Sequence, residues 1–122
     1  MVFLISFINT GMRTKGPTTY TQHKLELDAK LYEQLKALGL VSGLDSLSRL
    51  MGKNHTYFAC MRTRGYGLHV GSLAFLASVL AQQMEASTCV RQRAKLRMAV
   101  AAVNETIQAK CRIRELELHA QA

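Results

Sequence analysis

Leu47–Gly65, LSRLMGKNHTYFACMRTRG, reads as two short helices joined at a glycine. Leu47, Leu50 and Met51 stand at i, i+3 and i+4, the spacing of one apolar helical stripe. Gly52 follows, a residue free to take the positive φ that closes a helix. Asn54 is placed to cap a second helix whose inward face is Phe58 and Met61. Ser48, four residues before the glycine, is small enough for that second helix to pass close by.

On either side of this stretch the chain continues as helices broken by glycine. Leu27, Leu31, Leu35 and Leu38 recur at helical spacing with Gly39 as a stop, predicting a first amphipathic helix over Asp28–Leu38. Ser42 and Asp45 make an approximate capping box for a second helix over Leu44–Met51. The third runs over His55–Thr63 and ends at Gly65, and Tyr66–Leu68 form a turn. Ser72 is placed to cap a fourth helix with the stripe Leu73, Leu76, Val79 and Leu80. From Ser87 to Leu118 neither glycine nor proline interrupts the pattern, so a last helix extends about 45 Å. The expected fold is all-α, with a core of about four helices and a long C-terminal helix.

Leu96, Val100, Val103, Ile107 and Cys111 form a partial heptad seam along that last helix. A helix so long cannot bury its whole stripe on a small domain, and the seam is expected to meet a second copy of itself in a homodimer. Packing back onto the N-terminal half of the same chain is the other reading. Lys110 and Arg114 interrupt the stripe and confine pairing to the part before them. The chain thus divides into an N-terminal apolar segment and basic arm (1–27), a central helical domain (28–86) and a C-terminal helix for self-association (87–122).

Val2–Ile8, VFLISFI, is too short to span a bilayer and lacks the charge and cleavage pattern of a signal peptide. It suits a short edge strand or a strand pairing across a dimer; alternatively, Met12 is the start of the protein. Arg13 and Lys15 lie in an irregular basic arm.

At 122 residues the chain is long enough for one modest core. Its net charge of +8 and pI near 9.8 favour polyanionic partners. The charge is unevenly placed. No carboxylate occurs between Asp45 and Glu85, whereas Arg49, Lys53, Arg62 and Arg64 lie in that interval beside His55 and His69. Cys60, Cys89 and Cys111 show neither zinc-ligand nor redox spacing, and reduced thiols in a cytoplasm are the simplest reading. No carboxylate pair, nucleophile elbow or phosphate-binding glycine loop is present. No catalytic residue, cofactor or metal is expected, and no membrane.

The central stretch resembles the helix-turn-helix of the lambda-repressor and Cro-like regulators. The resemblance is carried by apolar Leu47, small Ser48, apolar Met51, the turn glycine Gly52, and apolar Phe58 and Met61. Lys53 departs from it, since that family usually has an apolar residue after the turn glycine. A capped apolar helix following the third helix also matches, so the resemblance covers about half the chain. It implies a DNA-binding transcriptional regulator, a repressor acting as a dimer that sterically excludes competitors from an operator, of bacterial, phage or plasmid source. By the same resemblance His55, Thr56, Ala59, Cys60 and Thr63 face the base edges of double-stranded DNA. Arg49, Lys53, Asn54, Tyr57, Arg62 and Arg64 are expected at the DNA backbone. The rival expectation is a small helical interaction or inhibitor protein that binds another protein through its basic face.

Overall fold

The computed structural model describes residues 19–121, which form five helices and, among the described residues, no strand. In chain order these are α1 (Thr19–Ala37), α2 (Leu44–Leu50), α3 (Tyr57–Arg64), α4 (Val70–Ala86) and α5 (Val90–Gln121). The strand expected over Val2–Ile8 and most of the basic arm lie outside the described residues. No described helix is long and apolar enough to cross a membrane.

The core is built from one stripe of each helix. Leu31 and Leu35 of α1, Leu47 of α2, Phe58 of α3, Leu73, Leu76 and Leu80 of α4, and Leu96, Ala99 and Val103 of α5 are buried together, with Met51 from the α2–α3 turn. α5 packs along both α4 and α1, while α2 and α3 pack on each other. The 28–86 and 87–122 segments therefore share one core.

Three expectations at helix starts are corrected. α1 begins at Thr19, nine residues before Asp28, because no glycine or proline separates Thr19 from the leucine stripe. The cap of α2 is not the Ser42 and Asp45 pair: the Ser46 hydroxyl accepts from Ser42 N–H and Gly43 N–H, at 2.9 and 3.1 Å, and donates to Gly43 O. Ser72 does not cap α4, which starts at Val70 after His69; it is buried inside the helix, its hydroxyl 3.1 Å from Tyr57 Oη.

The C-terminal seam turns inward. Leu96 and Val103 are fully enclosed in the chain's own core, and Val100 and Ile107 pack against it; only Cys111 is exposed. The face that α5 buries is Leu96, Ala99, Val103, Thr106, Lys110 and Ile113, which steps by 3, 4, 3, 4 and 3. The expected homodimer contact through Leu96, Val100, Val103 and Ile107 is therefore corrected: α1 and α4 already occupy that stripe.

Lys110, expected as an interruption, is a structural centre. Its Nζ stands 2.7 Å from Asp28 Oδ1 on α1, and both side chains are 4% exposed. The same ammonium donates to Leu68 O at 2.7 Å, and Asp28 Oδ2 accepts from Leu68 N–H at 2.7 Å. The pair thus satisfies both backbone groups of one buried loop residue and ties the α3–α4 connection to α1 and α5. Gly67, with φ +75°, lies against it; a Cβ there would come within 3.0 Å of Asp28 Oδ2. Burial holds the Asp28 carboxyl above its ordinary value, outweighing the attraction of Lys110 and the hydrogen bonds from Lys110 and Leu68. Burial likewise pushes the Lys110 ammonium down, against the attraction of Asp28.

Candidate nucleic-acid interface

The unit formed by α2, its turn and α3 is set by backbone hydrogen bonds at the glycine. Gly52 N–H donates to Arg49 O and Lys53 N–H to Ser48 O, at 2.9 and 3.0 Å, the two bonds of a Schellman closure. Gly52 has φ +75°, and a Cβ at this position would meet the Phe75 ring at 2.9 Å. Glycine is required there for its conformation, and a Cβ would also displace the half-exposed Phe75 ring.

α3 follows after a short lead-in. Asn54 Oδ1 accepts from Thr56 N–H and from the Thr56 hydroxyl, at 3.0 and 2.9 Å, and Tyr57 N–H donates to Asn54 O. Asn54 thus orders the turn before the helix and is not its cap; the N-cap position falls to Thr56. His55 and Thr56 stand just ahead of the first helical turn, where the expected helix began at His55.

Ser48 joins the two helices. Its hydroxyl is fully buried, donates to Leu44 O at 2.9 Å and accepts from Phe58 N–H at 3.0 Å. Phe58 N–H is one of the orphan donors of the first turn of α3, so a side chain of α2 caps α3 from outside it. Ser48→Ala should leave that buried donor unpaired and cost about 1–3 kcal/mol in urea unfolding. A loss indistinguishable from zero would mean that another group takes over the bond.

Phe58 anchors α3 in the core, 2% exposed, with its ring 6.0 Å from that of Tyr32. The opposite face is bare. Thr56, Ala59, Cys60 and Thr63 recur at i, i+3, i+4 and i+7, and all four are exposed, as is His55. The hydroxyl protons of two of them are already used, since Thr63 donates to Ala59 O at 2.8 Å and Thr56 to Asn54 Oδ1. What these threonines present outward is an acceptor oxygen and a methyl group.

Arg49 of α2, Lys53 of the turn, and Arg62 and Arg64 of α3 are exposed. None takes part in the ion pairs seen among the described residues, which are Lys24–Glu117, Lys110–Asp28 and Arg114–Glu117. Two are steadied by rings: Lys53 Nζ lies 5.5 Å from the centre of Tyr57, and the Arg62 guanidinium 5.8 Å from that of Phe58. Asn54 is exposed as well.

Tyr57 departs from its expected role at the DNA backbone. Its hydroxyl accepts from His69 N–H at 3.2 Å and shares a hydrogen bond with buried Ser72, so the phenol is spent bracing α3 against the start of α4. The ring instead offers its face to Lys53. That an aromatic at this spacing lies inward was visible in the helical period; the partner Ser72 was not.

No protein-family model matches the chain, and no curated protein or solved structure shows significant similarity to it.

Proposed function

We propose that this protein binds double-stranded DNA through α2 and α3 acting as a helix-turn-helix, and that it is a transcriptional regulator, a repressor, in the cytoplasm. The observation that carries the reading is an exposed, uncharged face on α3 together with four exposed cations on α2, the turn and α3 that take part in no ion pair among the described residues. A helix enters the major groove with its leading residues at base edges, and phosphates flank it on both sides.

In this role His55, Thr56, Ala59, Cys60 and Thr63 meet the bases. The two threonine oxygens accept from adenine or cytosine amino groups, and the threonine methyls and Ala59 pack on thymine methyls. None of the five makes the bidentate contact that discriminates most sharply, so much of the affinity falls to Arg49, Lys53, Arg62, Arg64 and the Asn54 amide at phosphates. Because useful affinity generally needs two half-sites, the regulator acts as a dimer whose pairing surface lies off the buried α5 seam.

The test is a salt titration of binding to mixed-sequence duplex DNA, followed by fluorescence anisotropy. Each phosphate neutralised contributes a slope of about −0.9 in log K against log salt, hence close to −4 per chain for the four cations. Arg62→Ala with Arg64→Ala should flatten it by about two. An unchanged slope would remove these residues from the interface, and absence of DNA binding at low salt would favour a protein partner for the basic face.

A further inference from the structure

A groove of about 700 Å³ opens beside the buried Asp28–Lys110 pair, between the first turns of α1, the end of α3, the α3–α4 connection and the second half of α5. Its volume is within the range of small-molecule sites. Its walls are mostly apolar, with Met61, Tyr66 and Val70 among them, and Tyr66 is 66% exposed. The charged groups at its rim are unequal. Lys24 and Arg114 flank one carboxylate, Glu117, while Lys110 is spent on Asp28.

Lys24 Nζ holds Glu117 Oε2 at 3.0 Å, whereas Arg114 Nη1 comes only to 4.0 Å of Oε1 and its side chain is 68% exposed. A planar guanidinium in that position offers a two-pronged contact to a carboxylate. Beside His69, two cations against one carboxylate leave a formal surplus of a single positive charge, which suits a monoanion. An apolar body would cover Met61, Val70 and the Tyr66 ring.

We propose that this groove binds a small monocarboxylic acid with an apolar body, and that the bound acid is an effector of DNA binding. The second half rests on the helix-turn-helix reading. Met61 belongs to α3 and Val70 opens α4, so an acid seated there touches the helix proposed to enter the major groove and the connection that fixes its far end. Met61 lies on the flank of α3 away from Ala59 and Thr63, so acid and DNA would not compete for the same atoms.

The experiment is calorimetric titration of the full chain with octanoate below its aggregation concentration, with octylammonium and octan-1-ol as controls. One octanoate per chain is expected, with neither control binding comparably. Arg114→Ala should weaken octanoate by about tenfold or more, since a hydrogen bond to a charged group is worth at least a decade of affinity. Arg97→Ala, exposed on α5 outside the groove, should leave it unchanged. Equal binding of octylammonium, indifference to Arg114→Ala or no binding at all would overturn the site. Octanoate uptake seen only as two chains separate would make a second copy the occupant and also overturn it.

A second arm measures duplex DNA binding with and without octanoate. A shift in DNA affinity that vanishes in Arg114→Ala supports the effector role, and an unchanged affinity at saturating octanoate overturns that role. If the chain binds no DNA under any condition, the helix-turn-helix reading fails, and the calorimetry still decides the groove.

Discussion

Asp28→Ala is expected to destabilise the protein by about 3–5 kcal/mol, the cost of leaving one partner of a buried ion pair uncompensated. Both side chains are 4% exposed, so loss of the carboxylate leaves the Lys110 ammonium buried without its charged partner. Replacing a buried pair by two apolar residues is often neutral elsewhere. Here Asp28→Leu with Lys110→Met should remain destabilised, because Leu68 N–H and Leu68 O would both lose their partners, at about 1–3 kcal/mol each. A double variant as stable as wild type in urea would show that the backbone of Leu68 is not what retains the charges. The pair also sets a pH signature. Since the folded-state pKa of Asp28 is raised, its contribution to stability declines as pH rises from the ordinary carboxylate value to the raised one. Lys110, whose pKa is lowered, contributes increasing stability as pH rises from that lowered value toward the ordinary ammonium one. The stability difference between wild type and Asp28→Asn should therefore fall with pH across the acidic window.

Phe58→Ala is expected to cost about 3–5 kcal/mol, a large share of the about 5–15 kcal/mol that holds a domain folded. The ring is 2% exposed within the cluster that joins α1, α2 and α4, and it carries the tilted contact with Tyr32. Truncation leaves a cavity where the two short helices meet the rest of the core. Because α3 has only Phe58 fully buried, the loss should also loosen α3 ahead of the other helices, visible as faster amide exchange over Tyr57–Arg64. A melting temperature close to wild type would contradict the register of α3.

Glycine and leucine made most of the helices legible. Gly39, Gly52 and Gly65 have positive φ and mark the ends of α1, α2 and α3, and of the leucines at helical spacing Leu31, Leu35, Leu47, Leu73, Leu76 and Leu80 are buried, whereas Leu27, Leu38 and Leu50 are half-buried. The exposed face of α3 was readable for the same reason, since Phe58 fixes which side turns inward. Polar residues misled where a long-range partner decided their place. Asp28 and Lys110 are 82 positions apart in sequence, and nothing local marks either as buried. The available signal was their register: Asp28 precedes Leu31 and Leu35 by 3 and 7, and Lys110 follows Val103 by 7, so opposite charges stood at core spacing on two helices. Taking the seam through Val100 and Ile107 instead of Ala99 and Thr106 rotated α5 by part of a turn, because small residues carry a weak hydrophobic signal. The same rotation turned an internal surface into an expected dimer contact. Ser46, Ser48 and Ser72 show the other limit: a hydroxyl's partner depends on which helix passes it.

The central claim is that the bare face of α3 meets DNA, and it is tested most directly by placing a carboxylate there. Ala59 and Thr63 are exposed, so Ala59→Glu should leave the urea transition unchanged. In the proposed complex the new charge would face base edges and flanking phosphates, where like-charge contact costs several kcal/mol. Anisotropy on a mixed-sequence duplex at low salt should then show binding reduced by about a hundredfold or more, whereas Gln108→Glu, exposed on α5, should lower it only slightly through net charge. Equal affinities for Ala59→Glu and Gln108→Glu would contradict the account and move the basic surface to another partner.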